Sequence, residues 1–146
     1  MGFTYSFQQI LELKEREKEA KEQEYQQSVN QFEKVATALY ELLRQKEQIE
    51  EMYEKKMKEG MLIQELQQNE KALFQLTNEI QAVTKKTNIA RLRMQKKEEE
   101  MKVATIEWKK YEKMKERAHE NYKEEVKKEE AKQMDELSLR KYAFRT

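Results

Sequence analysis

From Leu62 to Tyr122, apolar side chains recur in alternating steps of four and three. The positions are Leu62, Leu66, Asn69, Leu73, Leu76, Ile80, Val83, Thr87, Ala90, Met94, Lys97, Met101, Ala104, Trp108, Tyr111, Lys115, Ala118 and Tyr122, and fourteen of these eighteen are apolar. Hydrophobic residues make up 37% of the chain, so chance would supply about half that number. Such a rhythm is the seam of a coiled-coil helix, because a repeat of 3.5 residues keeps one helix face toward a partner. Beyond Tyr122 it decays: Val126, Met134, Leu137, Leu139, Tyr142 and Phe144 hold no common register.

The first half of the chain carries a looser version. Tyr25, Val29, Phe32, Ala36, Leu39, Leu43, Tyr53 and Met57 follow the same steps, with Lys46 and Glu50 as polar interruptions. A second row, Val35, Leu42 and Ile49, runs beside them at intervals of seven. Upstream, residues 14–24 contain a single apolar side chain, Ala20; Glu and Lys or Arg at close spacing support a helix there, but it has little to bury. At the start, Phe3, Tyr5 and Phe7 alternate before Ile10 and Leu11. This predicts a short extended lead-in and a helix beginning near Ser6, whose hydroxyl suits a cap.

Between the two halves stands Gly60, the only glycine besides Gly2 in a chain without proline. A glycine inside a helix costs about 1 kcal/mol relative to alanine, too little to force a break. The flanks decide the matter. If the chain reverses at Gly60, residues whose numbers sum to about 120 face each other. Leu43 then meets Leu76, Leu39 meets Ile80, Tyr25 lies near Met94, and Leu11 lies near Trp108. The polar stretch 14–24 falls opposite the weakly apolar 96–106, and Phe3, Tyr5 and Phe7 fall opposite residues 111–117. Strong segments face strong and weak face weak, a match that a parallel homodimer would not require. The expected fold is all-α: a single antiparallel coiled-coil hairpin with helix 1 over about 6–58, a turn at 59–61 and helix 2 over about 62–140. Helix 2 is the longer, and roughly its last 25 residues overhang and call for another protein.

Composition narrows the function. The chain is 40% charged, the profile of long helices rather than of a globule. Its 30 basic and 29 acidic side chains nearly cancel, so no global field recruits nucleic acid or an anionic membrane. No cysteine is present for a disulfide or a thiolate metal site, and no apolar run approaches the ~18–20 residues that span a bilayer. His119, the only histidine, sits among charged residues and reads as a solvated surface side chain rather than a general base. With no glycine-rich phosphate loop, no metal-ligand cluster and no pocket in a two-helix fold, neither catalysis nor a cofactor is expected. Two surfaces remain. The stretch 80–97 holds Lys85, Lys86, Arg91, Arg93, Lys96 and Lys97 and no acid, which reads either as a solvated flank or as a stripe for nucleic-acid backbone. The row Val35, Leu42 and Ile49, with Phe74, is either a widened seam or a docking strip for a partner helix.

Specific residues add a resemblance. Phe7-Gln8-Gln9-Ile10-Leu11-Glu12-Leu13-Lys14-Glu15, Tyr25-Gln26-Gln27-Ser28-Val29, Phe32-Glu33 and Leu39-Tyr40-Glu41-Leu42-Leu43 resemble the flagellar export protein FliJ family. So do the Gly60 turn, Tyr111-Glu112-Lys113-Met114 and Met134-Asp135-Glu136, in the same order over nearly the full length. The resemblance implies a cytoplasmic antiparallel coiled coil, similar to the central stalk of rotary ATPases, associated with the membrane at the flagellar base without inserting into it. It implies insertion of the terminal end into the hexameric flagellar export ATPase, contact with the cytoplasmic linker of the membrane export gate, and binding of export chaperones. By position, Leu42 and Leu76 look like gate-facing residues, with Val35, Ile49 and Phe74 as neighbours; the family often has aromatics there, whereas this chain has Gln45, Ile49 and Ala72. For the ATPase end the candidates are Phe7, Leu11, Trp108, Tyr111, Met114, Met134, Asp135 and Glu136. A stand-alone coiled-coil adaptor or chaperone, and a nucleic-acid-binding hairpin, are the alternative readings.

Overall fold

The computed structural model describes residues 2–145. Two helices account for most of them: α1 spans Gln8–Glu59 and α2 spans Ile63–Arg145, with no strand among the described residues. Both helices contribute to each of two compact units, one of residues up to Ala20 with those from Lys102 onward, the other of Lys21–Met101.

Within Lys21–Met101 the helices pack antiparallel. Glu24 meets Lys97, Lys21 meets Glu100 and the Val35 carbonyl meets Thr87, so numbers fall along α2 as they rise along α1. The first two pairs sum to 121 and the third to 122, close to the spacing expected for a reversal at Gly60. Gly60 is the hinge of that reversal. Its φ of +96° lies in the left-handed region, which a side chain makes costly, and it follows the last helical residue, Glu59. Lys56 and Lys58 end α1 and Glu65 opens α2, each of the sign that its helix terminus favours. The Leu62 carbonyl accepts the Leu66 amide at 3.1 Å and so starts α2.

The α2 seam is the expected one from Leu66 to Tyr122, every position half-buried or buried; only Leu62 lies outside it, exposed at the turn. On α1 the register differs by a row. Tyr25, Ser28, Phe32, Val35, Leu39, Leu42, Lys46, Ile49 and Tyr53 step strictly by three and four and are half-buried or buried, with the expected Val29 and Ala36 half-buried beside them. Val35, Leu42 and Ile49 are therefore members of the seam rather than a row beside it. Leu43 is 47% exposed and Met57 is also exposed. Leu43, expected to face Leu76, is thus turned outward, and Leu42 holds the half-buried position beside it. Ser28 explains the difference. At 5% exposure it occupies a core position, and its hydroxyl donates to the Tyr25 carbonyl at 2.6 Å, which removes the cost of burying a polar group. Thr87, at 4%, does the same toward Val83 at 2.8 Å, and at 3.5 Å its hydroxyl reaches the Val35 carbonyl of the facing helix. With Ala90 also buried, the most enclosed positions here are small ones, which let the two backbones come close.

The unit built from the chain ends is also antiparallel where the helices meet. Tyr5 lies against Tyr111 and Lys18 against Trp108, while Phe3 of the lead-in contacts His119 and Tyr122. The lead-in is non-helical through Phe7, and the Gln8 amide donates to the Tyr5 carbonyl at 3.1 Å, so α1 begins two residues after Ser6. From residue 127 to 144, α2 is exposed throughout.

Candidate docking surfaces

The terminal unit begins with an aromatic clasp. Tyr5 is buried because its ring is covered and its hydroxyl donates to the Tyr111 carbonyl at 3.3 Å. Phe3 packs edge-on against His119, ring centres 4.9 Å apart, and near Tyr122 at 5.6 Å. His119, expected to be solvated, is thus half-buried; the sequence neighbours are charged, but its aromatic partner lies more than a hundred residues away in the chain. The Lys18 ammonium sits 4.0 Å from the centre of the Trp108 ring, a cation–π contact that lets a lysine occupy an inward position. Among the sequence-derived candidates, Leu11 is buried, and Trp108 and Tyr111 are half-buried members of the clasp. Phe7 and Met114 remain exposed, as do Met134, Asp135 and Glu136 on the overhanging part of α2.

The middle candidates divide in the same way. Val35, Leu42 and Ile49 are half-buried seam residues and Leu76 is 7% exposed. Phe74 is 68% exposed on α2, and Tyr40, Leu43 and Met52 are exposed on α1. These last three were missed on the sequence because Tyr40 and Met52 belong to no apolar row and Leu43 was assigned to the wrong one.

Where the seam turns polar, charge replaces apolar packing. Lys97 donates to Glu24 across the helices and to Glu100 along its own, both at 3.3 Å. Lys21 reaches Glu24 at 3.3 Å and Glu100 at 3.5 Å. The Lys21 hydrogen bond, then that of Lys97, holds the Glu24 carboxyl below its ordinary range; Lys97 does the same for Glu100. Hydrogen bonding to Glu24 in turn raises the Lys21 ammonium. The groove lined by Glu24, Gln27, Ser28, Gln31, Arg93 and Lys97 is polar and of mixed charge. Among the described residues no group of three or more His, Cys, Asp or Glu side chains is placed to hold a metal, and no helix is long and apolar enough to cross a membrane.

The basic stripe is not uniform either. Lys97 is engaged with two carboxylates, and the Arg91 guanidinium lies 5.7 Å from the centre of the Phe32 ring. Lys85, Lys86, Arg93 and Lys96 are exposed.

Taken with these surfaces, comparison with known proteins is decisive for the family. A family model described as flagellar FliJ protein matches residues 3–146. The chain belongs to the flagellar FliJ family. A flagellar FliJ protein of Bacillus subtilis (strain 168) is 40% identical over 142 residues, which is 97% of either chain. No solved structure matches significantly.

Proposed function

We propose that the chain is a non-catalytic stalk of the flagellar protein export apparatus. Its overhanging α2 end enters the hexameric export ATPase and promotes ring assembly and turnover. Its flank meets the cytoplasmic linker of the export gate, and export chaperones bind it in the cytoplasm beside the membrane. The observation that carries this reading is the overhang. Over residues 127–144 every side chain is exposed, including Met134, Leu137, Leu139, Tyr142 and Phe144. A helix without a partner face is marginal in water, and five large apolar side chains on it represent surface that binding would remove from solvent.

The mechanism follows from linkage. A protein that makes no bonds accelerates an enzyme only by binding its competent arrangement more tightly than the others. Binding the closed ring in preference to free subunits favours assembly by mass action. Membership of the FliJ family supports the flagellar setting. The test is steady-state ATP hydrolysis by the purified export ATPase with the full chain and with a chain ended at Val126. Turnover and the hexamer fraction should rise with the first and not with the second; no rise with the full chain would overturn the proposal.

A further inference from the structure

Between Lys85 and Lys96, α2 turns outward a face that is both basic and apolar. Lys85, Ile89, Leu92 and Lys96 recur at steps of four, three and four, on the side of the helix away from the buried Thr87 and Ala90. Ile89 is 67% exposed and Leu92 is 65% exposed. Positions directly opposite a coiled-coil seam ordinarily carry polar residues, since nothing covers them. No acidic residue occurs between Ile80 and Lys97, and Lys85, Lys86, Arg93 and Lys96 form no ion pair among the described residues. Lysines elsewhere on the chain, such as Lys14 and Lys46, pair with glutamates of their own helix.

We propose that this face docks an acidic amphipathic helix of a partner protein. Apolar residues of that helix, spaced by three and four, lie over Ile89 and Leu92, while its flanking carboxylates face Lys85, Lys86, Arg93 and Lys96. Charge complementarity sets the sign of the partner and steers the encounter; the aliphatic pair supplies the desolvated centre that such interfaces require. A nucleic acid fits less well. Its phosphates would answer the lysines, but no aromatic side chain stands between Lys85 and Lys96 to stack a base, and phosphates gain nothing from Ile89 and Leu92. The inference is independent of the ATPase reading, because it concerns a different stretch of α2.

The test uses the full chain and a fluorescein-labelled synthetic peptide of heptad design, leucine on one face and glutamate on its flanks. The controls are a scrambled peptide of the same composition, a version with lysine in place of every glutamate, and a single-stranded RNA oligonucleotide. By fluorescence anisotropy the acidic amphipathic peptide should bind at least about tenfold tighter than either control peptide, a factor typical of losing one interface anchor. Ile89→Ser with Leu92→Ser should weaken it by about tenfold or more, and Lys85→Glu with Lys96→Glu by a similar factor. Circular dichroism should be unchanged in both variants; if serine lowers the helicity, Ile89→Ala with Leu92→Ala serves in its place. Equal binding of the scrambled peptide overturns the proposal. So does RNA binding that survives loss of the aliphatic pair. Sedimentation supplies the remaining alternative: segment 129–137 of a second copy, with Glu129, Glu130, Asp135 and Glu136 against the single base Lys132 and with Met134 and Leu137, has the same chemistry. Self-association abolished by ending the chain at Val126 would assign the face to that copy and overturn the proposal.

Discussion

Leu76, Ser28 and Gly60 carry three different kinds of residue-scale constraint, and each predicts its own response to substitution. Leu76 is among the few large side chains that are buried, and truncation to alanine removes its burial and leaves a gap in the seam. Leu76→Ala should cost about 2–3 kcal/mol in urea unfolding, the lower part of the range for buried leucine because a two-helix seam collapses easily. Phe74→Ala, two residues away and largely exposed, should change stability by less than about 0.5 kcal/mol. Equal effects at the two positions would mean that the assigned face of α2 is wrong. At Gly60 a Cβ would meet no atom within 4 Å, so any cost of Gly60→Ala comes from the positive φ and not from crowding. That substitution should lose roughly 1–2 kcal/mol. Asparagine, which tolerates the left-handed region better, should recover part of it. Ser28 shows why one part of the seam was not legible. A hydroxyl that donates to its own helix is content in a core, but a pattern of apolar letters skips it and steps from Tyr25 to Val29 instead. Once Ser28 is passed over, Val35, Leu42 and Ile49 look surplus. On α2 the interruptions were single and the rhythm long, so Thr87 and Lys97 did not shift the reading.

The helices themselves show what periodicity conveys and what it omits. Two helices, their order, the reversal at Gly60 and the pairing of weak with weak were all legible, because each is a property of long-range rhythm. How the weak segments pay their way was not, since the ion pairs depend on rotamers and on the facing helix. Lys21, Glu24, Lys97 and Glu100 close a four-member network in which two contacts cross between the helices. The sign of its pH dependence follows from the shifts. The Glu24 and Glu100 carboxyls are held below the ordinary value of 4.5, so the stabilisation they give is complete above that value and is lost as the pH falls through their lowered folded values. Lys21 is raised above 10.5, so its contribution is complete below that value and is lost as the pH rises through the raised one. The network therefore supports the helix pair between the carboxylate and lysine ranges and fails first on the acid side. Thermal melts from pH 3 to 7 should show a steeper acid limb in the parent than in the Glu24→Gln, Glu100→Gln double variant, at about 0.1 M salt or below where screening is weak. Parallel limbs would show that these exposed pairs contribute nothing measurable, which is common for surface ion pairs.

For the whole molecule, the proposed function assigns stability to the paired stretches of the helices and binding to the exposed end of α2. Removing residues 127–146 takes away side chains that are exposed wherever they are described, so helix packing should be unaffected. The total helical signal falls with chain length, while the melting temperature should move by no more than a few degrees. The same deletion should abolish stimulation of the export ATPase if the overhang is the inserted end. Phe74→Asp provides the complement. Phe74 is exposed, far along the chain from the overhang and clear of the seam, so aspartate there leaves the fold intact while placing a charge where a gate linker would have to bury it. Gate-linker affinity measured by calorimetry should then drop by about tenfold or more while ATPase stimulation stays at the parent level. Leu42→Asp cannot separate the two, because Leu42 is a seam residue and its replacement disturbs the helix pair first. A chain in which the truncation and Phe74→Asp each damage both activities equally would not be a stalk with separate end and flank, and the adaptor reading would take its place.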